Sequence, residues 1–172
     1  MEKRGFTLIE VLTSLAVFGI IFVAIGSVFY SVYLNWQKQR DFNQNFQNAR
    51  WALEFMGNEI RHANSTDGLS DTESGQELLK FRIYQGGSYD SMYYWLNNTS
   101  HILYRCVKNK ASSLADACSN SQSEMAPAIA NAHFNASADL VTVELTIRPK
   151  PGMAEGIGNR NFTLETKARA RN

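Results

Sequence analysis

Glu10 is the residue with the most chemistry to explain. It is the only acid in the apolar N-terminal part of the chain, and residues 11–36, 26 positions, hold no charge at all. A helix needs about 20 apolar residues to cross the hydrocarbon of a bilayer. A carboxylate inside such a segment costs roughly 2.5–3.5 kcal/mol on insertion scales, and it is kept there only where it has a task. Cutting the chain after Gly5 supplies a partner for it. Phe6 then becomes the N-terminus, and its ammonium lies one helical turn from Glu10 in i,i+4 relation. That amine is largely cationic at neutral pH. The same pair can form between two copies, Glu10 of one meeting the amine of the next. Removing one member of a buried pair is strongly destabilising, so such a pair selects register.

The elements that must position Glu10 follow from the surrounding pattern. Lys3 and Arg4 precede the apolar segment and hold that end on the cytoplasmic side, so the rest of the chain faces the opposite compartment. Two other readings of the segment compete. A cleaved secretory signal would use Ala24-Ile25-Gly26 as its small-residue site, but Glu10 intrudes and apolar residues run on through Val28, Phe29, Tyr30, Val32 and Tyr33. An ordinary single-span anchor of a secreted domain leaves Glu10 without a role.

Lys3-Arg4-Gly5-Phe6-Thr7-Leu8-Ile9-Glu10-Val11-Leu12 resembles the class III signal of type IV pilins and pseudopilins. The likeness is close over residues 4–12 and extends as a pattern to about residue 63. It implies a leader of residues 1–5 removed by a prepilin peptidase between Gly5 and Phe6. It further implies N-methylation of Phe6, and a Glu10 that guides the subunit into a filament by pairing with an N-terminal amine. Loss of the leader leaves 15 basic and 15 acidic side chains. The partners implied are other major and minor pilins or pseudopilins, the prepilin peptidase, an inner-membrane assembly platform and the membrane itself. The implied location is the inner membrane as a single pass with the C-terminal domain in the periplasm, then a filament.

No proline interrupts residues 6–63. One helix is expected there, residues 6–36 in the membrane and 37–63 amphipathic, about 87 Å long at 1.5 Å per residue. Gly19, Gly26 and Gly57 are its weak positions. Phe42, Phe46, Ala49, Leu53, Met56, Ile60 and Ala63 form an apolar stripe at helical spacing, expected to pack on the C-terminal domain. Trp51 and Phe55 project roughly opposite to it. Either a loop of the same chain covers them, or they meet a neighbouring subunit. The stretch from Arg50 through Trp51, Leu53, Met56, Glu59 and Ile60 to Arg61 is similar to a segment of PilW-like and J-type minor subunits. It implies a minor subunit, of a type IV pilus or a type II secretion pseudopilus, in the complex that primes assembly at the tip. An adhesive or DNA-capturing pilin is the alternative.

Residues 64–172 make a head of 109 residues, enough for a core. Residues 64–77 read as a polar linker. Strands are expected at 78–84, 92–96, 101–107, 140–147 and 162–168, with Asn97-Asn98-Thr99-Ser100 as a hairpin turn. Residues 108–138, rich in Ala, Ser and Asn, read as a long loop. The fold class is α+β, pilin-like, a long helix on an antiparallel sheet. Cys106 and Cys118 lie beyond the cytoplasm, where disulfides persist. A bridge between them would close a 13-residue loop, worth about 3 kcal/mol in the chain-entropy model.

The remaining polar groups suggest no catalysis. His62, His101 and His133 are far apart, and no hydrolase, zinc or phosphate-loop motif occurs. No cofactor or metal is expected, and an enzyme is not. Asp67, Asp71, Glu73 and Glu77 form an acidic loop that reads as solvated, calcium being the sharper reading. Lys167, Arg169 and Arg171 alternate with Ala168 and Ala170 as the solvent face of a terminal strand. With 17 basic and 16 acidic side chains overall, nucleic acid is not an expected partner.

Overall fold

The computed structural model describes residues 7–63, 70–73, 76–85, 87–109, 118, 122–137, 140–156 and 159–170. Among the described residues one helix, α1 (Leu8–Arg61), is followed by eight strands: β1 (Ser70–Glu73), β2 (Gln76–Gln85), β3 (Ser88–Asn97), β4 (Ile102–Asn109), β5 (Gln122–Ala126), β6 (Ile129–Ser137), β7 (Leu140–Ile147) and β8 (Phe162–Arg169). The chain divides into two compact units, Met1–Arg40 and Asp41–Asn172.

From Leu8 on, the first unit is helix. Its first turn closes on Thr7, whose carbonyl accepts from the amides of Glu10 (3.1 Å) and Val11 (3.3 Å). Glu10 lies in that turn, where a carboxylate complements the positive end of the helix dipole. The apolar side chains that follow, from Leu8 to Trp36, are exposed. The segment is long and apolar enough to cross a membrane. Its hydroxyls are turned back onto the backbone: Thr13 and Ser14 donate to the Glu10 carbonyl (3.1 and 2.7 Å), and Ser27 donates to that of Ala24 (2.7 Å). A helix in lipid must satisfy its polar groups internally in this way.

In the second unit the apolar stripe of α1 is the centre of the core. Ala49, Leu53, Met56, Ile60 and Ala63 are buried, joined by Ala52, and Phe46 packs at the margin. Two antiparallel sheets share this core, a five-stranded one ordered β1-β2-β3-β4-β5 and a three-stranded one ordered β6-β7-β8. The first is a meander whose register pairs Phe81 with Met92 and Tyr94 with Arg105. The expected turn after Asn97 is present: the Asn97 side chain accepts from the amides of Thr99 and Ser100, and His101 adopts a left-handed φ of 56°. In β7 the alternation of Val141, Val143, Leu145 and Ile147 buries one face.

Two expectations are corrected. Residues 122–137, read as part of a loop, form β5 and β6. The alternation of Ile129, Ala132 and Phe134 is broken at a register shift between Ile129 and Asn131, and the small residues between carry little strand signal. Likewise Ser70–Glu73, placed in the linker, pairs with Gln76–Leu79 of β2 as β1. Its polar sequence is that of an edge strand.

Gly57 is a buried helical position with room to spare. A Cβ there would meet only the Thr166 hydroxyl of β8, at 3.7 Å. Gly57→Ala is therefore expected to stabilise the head, by about 0.5–1 kcal/mol, since the helix loses glycine's backbone freedom in the unfolded chain. Thermal unfolding of the variant beside the parent checks this.

Candidate assembly signal and head surface

Gly5 and Phe6 lie outside the described residues. Glu10 is exposed in the first turn of α1, and none of the described residues of its own unit covers it. Its carboxylate is thus presented to whatever lies beside the helix.

Trp51 and Phe55 sit one turn apart on α1 and stack with ring centroids 5.3 Å apart. Trp51 is 54% exposed, and Phe55 is partly covered. Over the Phe55 ring lies the guanidinium of Arg105 from β4, 5.3 Å from the ring centre. Arg105 is held in turn by Glu59 of α1 through Nε (3.1 Å) and Nη2 (2.5 Å), a bidentate pair with side chains 22% and 15% exposed. Tyr94 of β3 donates its hydroxyl to the same carboxylate. Burial first, then the neighbouring Glu59 carboxylate, pushes the Tyr94 hydroxyl far above its ordinary value. For Arg105, burial opposes the charge, but the hydrogen bonds and charge of Glu59 prevail and raise it. The Arg50–Glu54 pair beside them, at 3.5 Å and 71% and 67% exposed, is solvated and contributes little.

The sequence places Glu59 within the minor-subunit-like stretch but gives no sign of its partners. Tyr94 and Arg105 are directly opposite on β3 and β4, and only the sheet register brings both over α1.

Cys106 and Cys118 are joined, with Cα atoms 5.1 Å apart. The bridge packs on the face of the large sheet turned away from α1, with Leu78, Tyr93 and Trp95, while Trp95 and Tyr104 stack at 5.3 Å. Of the acidic loop, Asp67 lies outside the described residues, as do the side chains of Asp71, Glu73 and Glu77. Among the described residues no group of His, Cys, Asp and Glu is placed to hold a metal ion. Lys167 and Arg169 are exposed on β8, and Ala168 and Ala170 are buried.

Residues 1–26 match the family model described as the prokaryotic N-terminal methylation motif. No curated protein and no solved structure matches the chain. The methylation motif over residues 1–26, the apolar helix that begins within it and a helix packed on antiparallel sheets in the head fit a type IV pilin-like architecture, and the motif implies processing by a prepilin peptidase and association with other pilins in general.

Proposed function

We propose that the protein is a minor pilin or pseudopilin, cut between Gly5 and Phe6, methylated on Phe6 and built into a type IV pilus or a type II secretion pseudopilus. The role is structural, in the tip complex that primes assembly. Residues 1–5 are the leader, 6–36 the membrane half of the helix, 37–63 its amphipathic half and 64–172 a periplasmic head. The observation that carries the reading is the methylation motif over residues 1–26 with a lone exposed Glu10 in the first turn of a helix long enough to span lipid. The minor-subunit part rests on the stretch from Arg50 to Arg61. It draws support from Trp51, exposed on a helix whose other face is buried, with Phe55 beside it. These two rings are assigned to contact with a neighbouring subunit, and the inner-membrane assembly platform is the partner that lifts the subunit from the bilayer.

Intact-mass spectrometry of the protein purified from its native membrane tests the processing. The expected chain begins at N-methylated Phe6. A chain that begins at Met1, or near Ser27, overturns the proposal.

A further inference from the structure

The outer end of the membrane segment carries a collar with its own chemistry. At about 100° per residue, Tyr30, Tyr33, Trp36, Gln37 and Arg40 fall within about 120° of one side of the helix. They are linked along that side. Gln37 Nε2 donates to the Tyr33 hydroxyl oxygen at 2.7 Å, which leaves the Tyr33 hydrogen to be donated outward. The Arg40 guanidinium lies over the Trp36 ring, 5.9 Å from its centre. Tyr30, Tyr33 and Trp36 are all more than half exposed. Residues 11–40 hold two charges, Lys38 and Arg40, both positive, and Asp41 is the first acid after them. Amphipathic rings with cations just beyond them suit the headgroup layer of a bilayer, where the ring body is apolar and the polar tip is wet.

Resting on the reading of this helix as a membrane anchor, we infer that Tyr30, Tyr33, Trp36 and Arg40 dock in the outer phospholipid headgroup layer and fix the depth of the helix, so that Glu10 rests in the inner headgroup layer and not in hydrocarbon. The arithmetic is short. Hydrocarbon about 30 Å thick spans about 20 helical residues. With Tyr33 at the outer edge the inner edge falls at Thr13, three residues inside Glu10. With Tyr30 or Trp36 at the edge it falls at Glu10 or Ala16. In each register the Glu10 carboxylate is at or outside the boundary. The acid is then solvated while the subunit waits in the membrane, and it needs its amine partner only when the subunit is lifted outward. Pairing is thereby tied to extraction and not to residence.

The full-length protein in vesicles of phosphatidylethanolamine and phosphatidylglycerol tests this, with brominated phosphatidylcholine as quencher. Trp36→Phe isolates Trp36 from Trp51 and Trp95 by difference. Bromines near the glycerol backbone are expected to quench Trp36 about twofold or more better than bromines near the chain ends. In a second arm, Ile9→Cys is labelled by a membrane-impermeant maleimide in opened vesicles and Ile20→Cys is protected. The native cysteines are bridged and do not report. Equal or stronger quenching by the deep lipid, or protection of Ile9→Cys, overturns the inference even where the protein floats with the vesicles. Failure to float overturns the anchor reading along with it. An unprocessed N-terminus in a protein that passes both arms sinks the pilin proposal and leaves the depth assignment standing.

Discussion

Glu10→Val is expected to leave the protein in the membrane at its normal level and to remove it from the filament. The substitution takes the one charge from the apolar segment, so it does not hinder insertion. On the proposed processing, what is lost is the partner for the cationic terminus at Phe6. An amine carried into lipid without its counter-ion faces the penalty of a half-broken buried pair, about 3–5 kcal/mol, which corresponds to a loss of about a hundredfold or more in incorporation. Thr7, Thr13 and Ser14 cannot replace the acid. The Thr7 carbonyl caps the first turn, and the two hydroxyls already donate to the Glu10 carbonyl. Glu10→Gln keeps size and polarity but not charge, and it is expected to fail nearly as badly. Glu10→Asp keeps the charge on a shorter arm and should recover part of the incorporation. The measurement is the share of the protein in sheared or cross-linked filament fractions of the native host, beside its level in the membrane. Normal incorporation of Glu10→Val would remove the pairing as the basis of assembly.

How much of this was legible in the residues depends on the range of the interactions. The signal around Glu10 is local: a basic leader, Gly5-Phe6 and an acid one turn on can be read within ten positions, and the family model covers the same region. The stripe from Phe42 to Ala63 was legible because a helix writes its buried face at fixed spacing, and Ala49, Leu53, Met56 and Ile60 are buried as that spacing requires. β7 was legible for the equivalent reason, a strict alternation of Val141, Val143, Leu145 and Ile147. β6 was not, because Ala130, Ala132 and Ala136 carry too little apolar contrast and the strand begins with a register shift. β1 was not, because an edge strand has no second neighbour to demand a hydrophobic pattern. The trio Glu59, Tyr94 and Arg105 was the hardest. Its members are 35 and 46 positions from Glu59, and they meet only after the register of β3 and β4 and the crossing of α1 have been set.

That trio makes Glu59→Ala the substitution with the largest expected effect on the head. The Glu59 carboxylate accepts from Nε and Nη2 of Arg105 and from the Tyr94 hydroxyl. Its removal leaves a largely covered guanidinium without a counter-ion and a buried phenol without an acceptor, and the expected loss is about 3–5 kcal/mol. The loss also frees Arg105 from Phe55, so the Trp51–Phe55 surface changes with it. Glu59→Leu with Arg105→Met, which removes both charges and keeps the bulk, is expected to cost much less than the sum of the two single changes, as replaced ion pairs do. Tyr94→Phe keeps the ion pair and should cost about 1.5–3 kcal/mol, the range for a hydrogen bond to a charged group. Tyr94 also sets a pH dependence. In the fold its hydroxyl keeps its proton well above the ordinary value of 10.0, whereas the unfolded chain releases it there. The unfolded state thus binds fewer protons than the folded one above that pH, and stability falls as pH rises past it. Thermal unfolding of the full-length protein from neutral pH to above pH 10 should show this fall, and Tyr94→Phe should flatten it. An unchanged alkaline slope in Tyr94→Phe would show that the Tyr94 hydroxyl does not set it, and a Glu59→Ala head as stable as the parent would show that the trio adds nothing to the apolar stripe of α1.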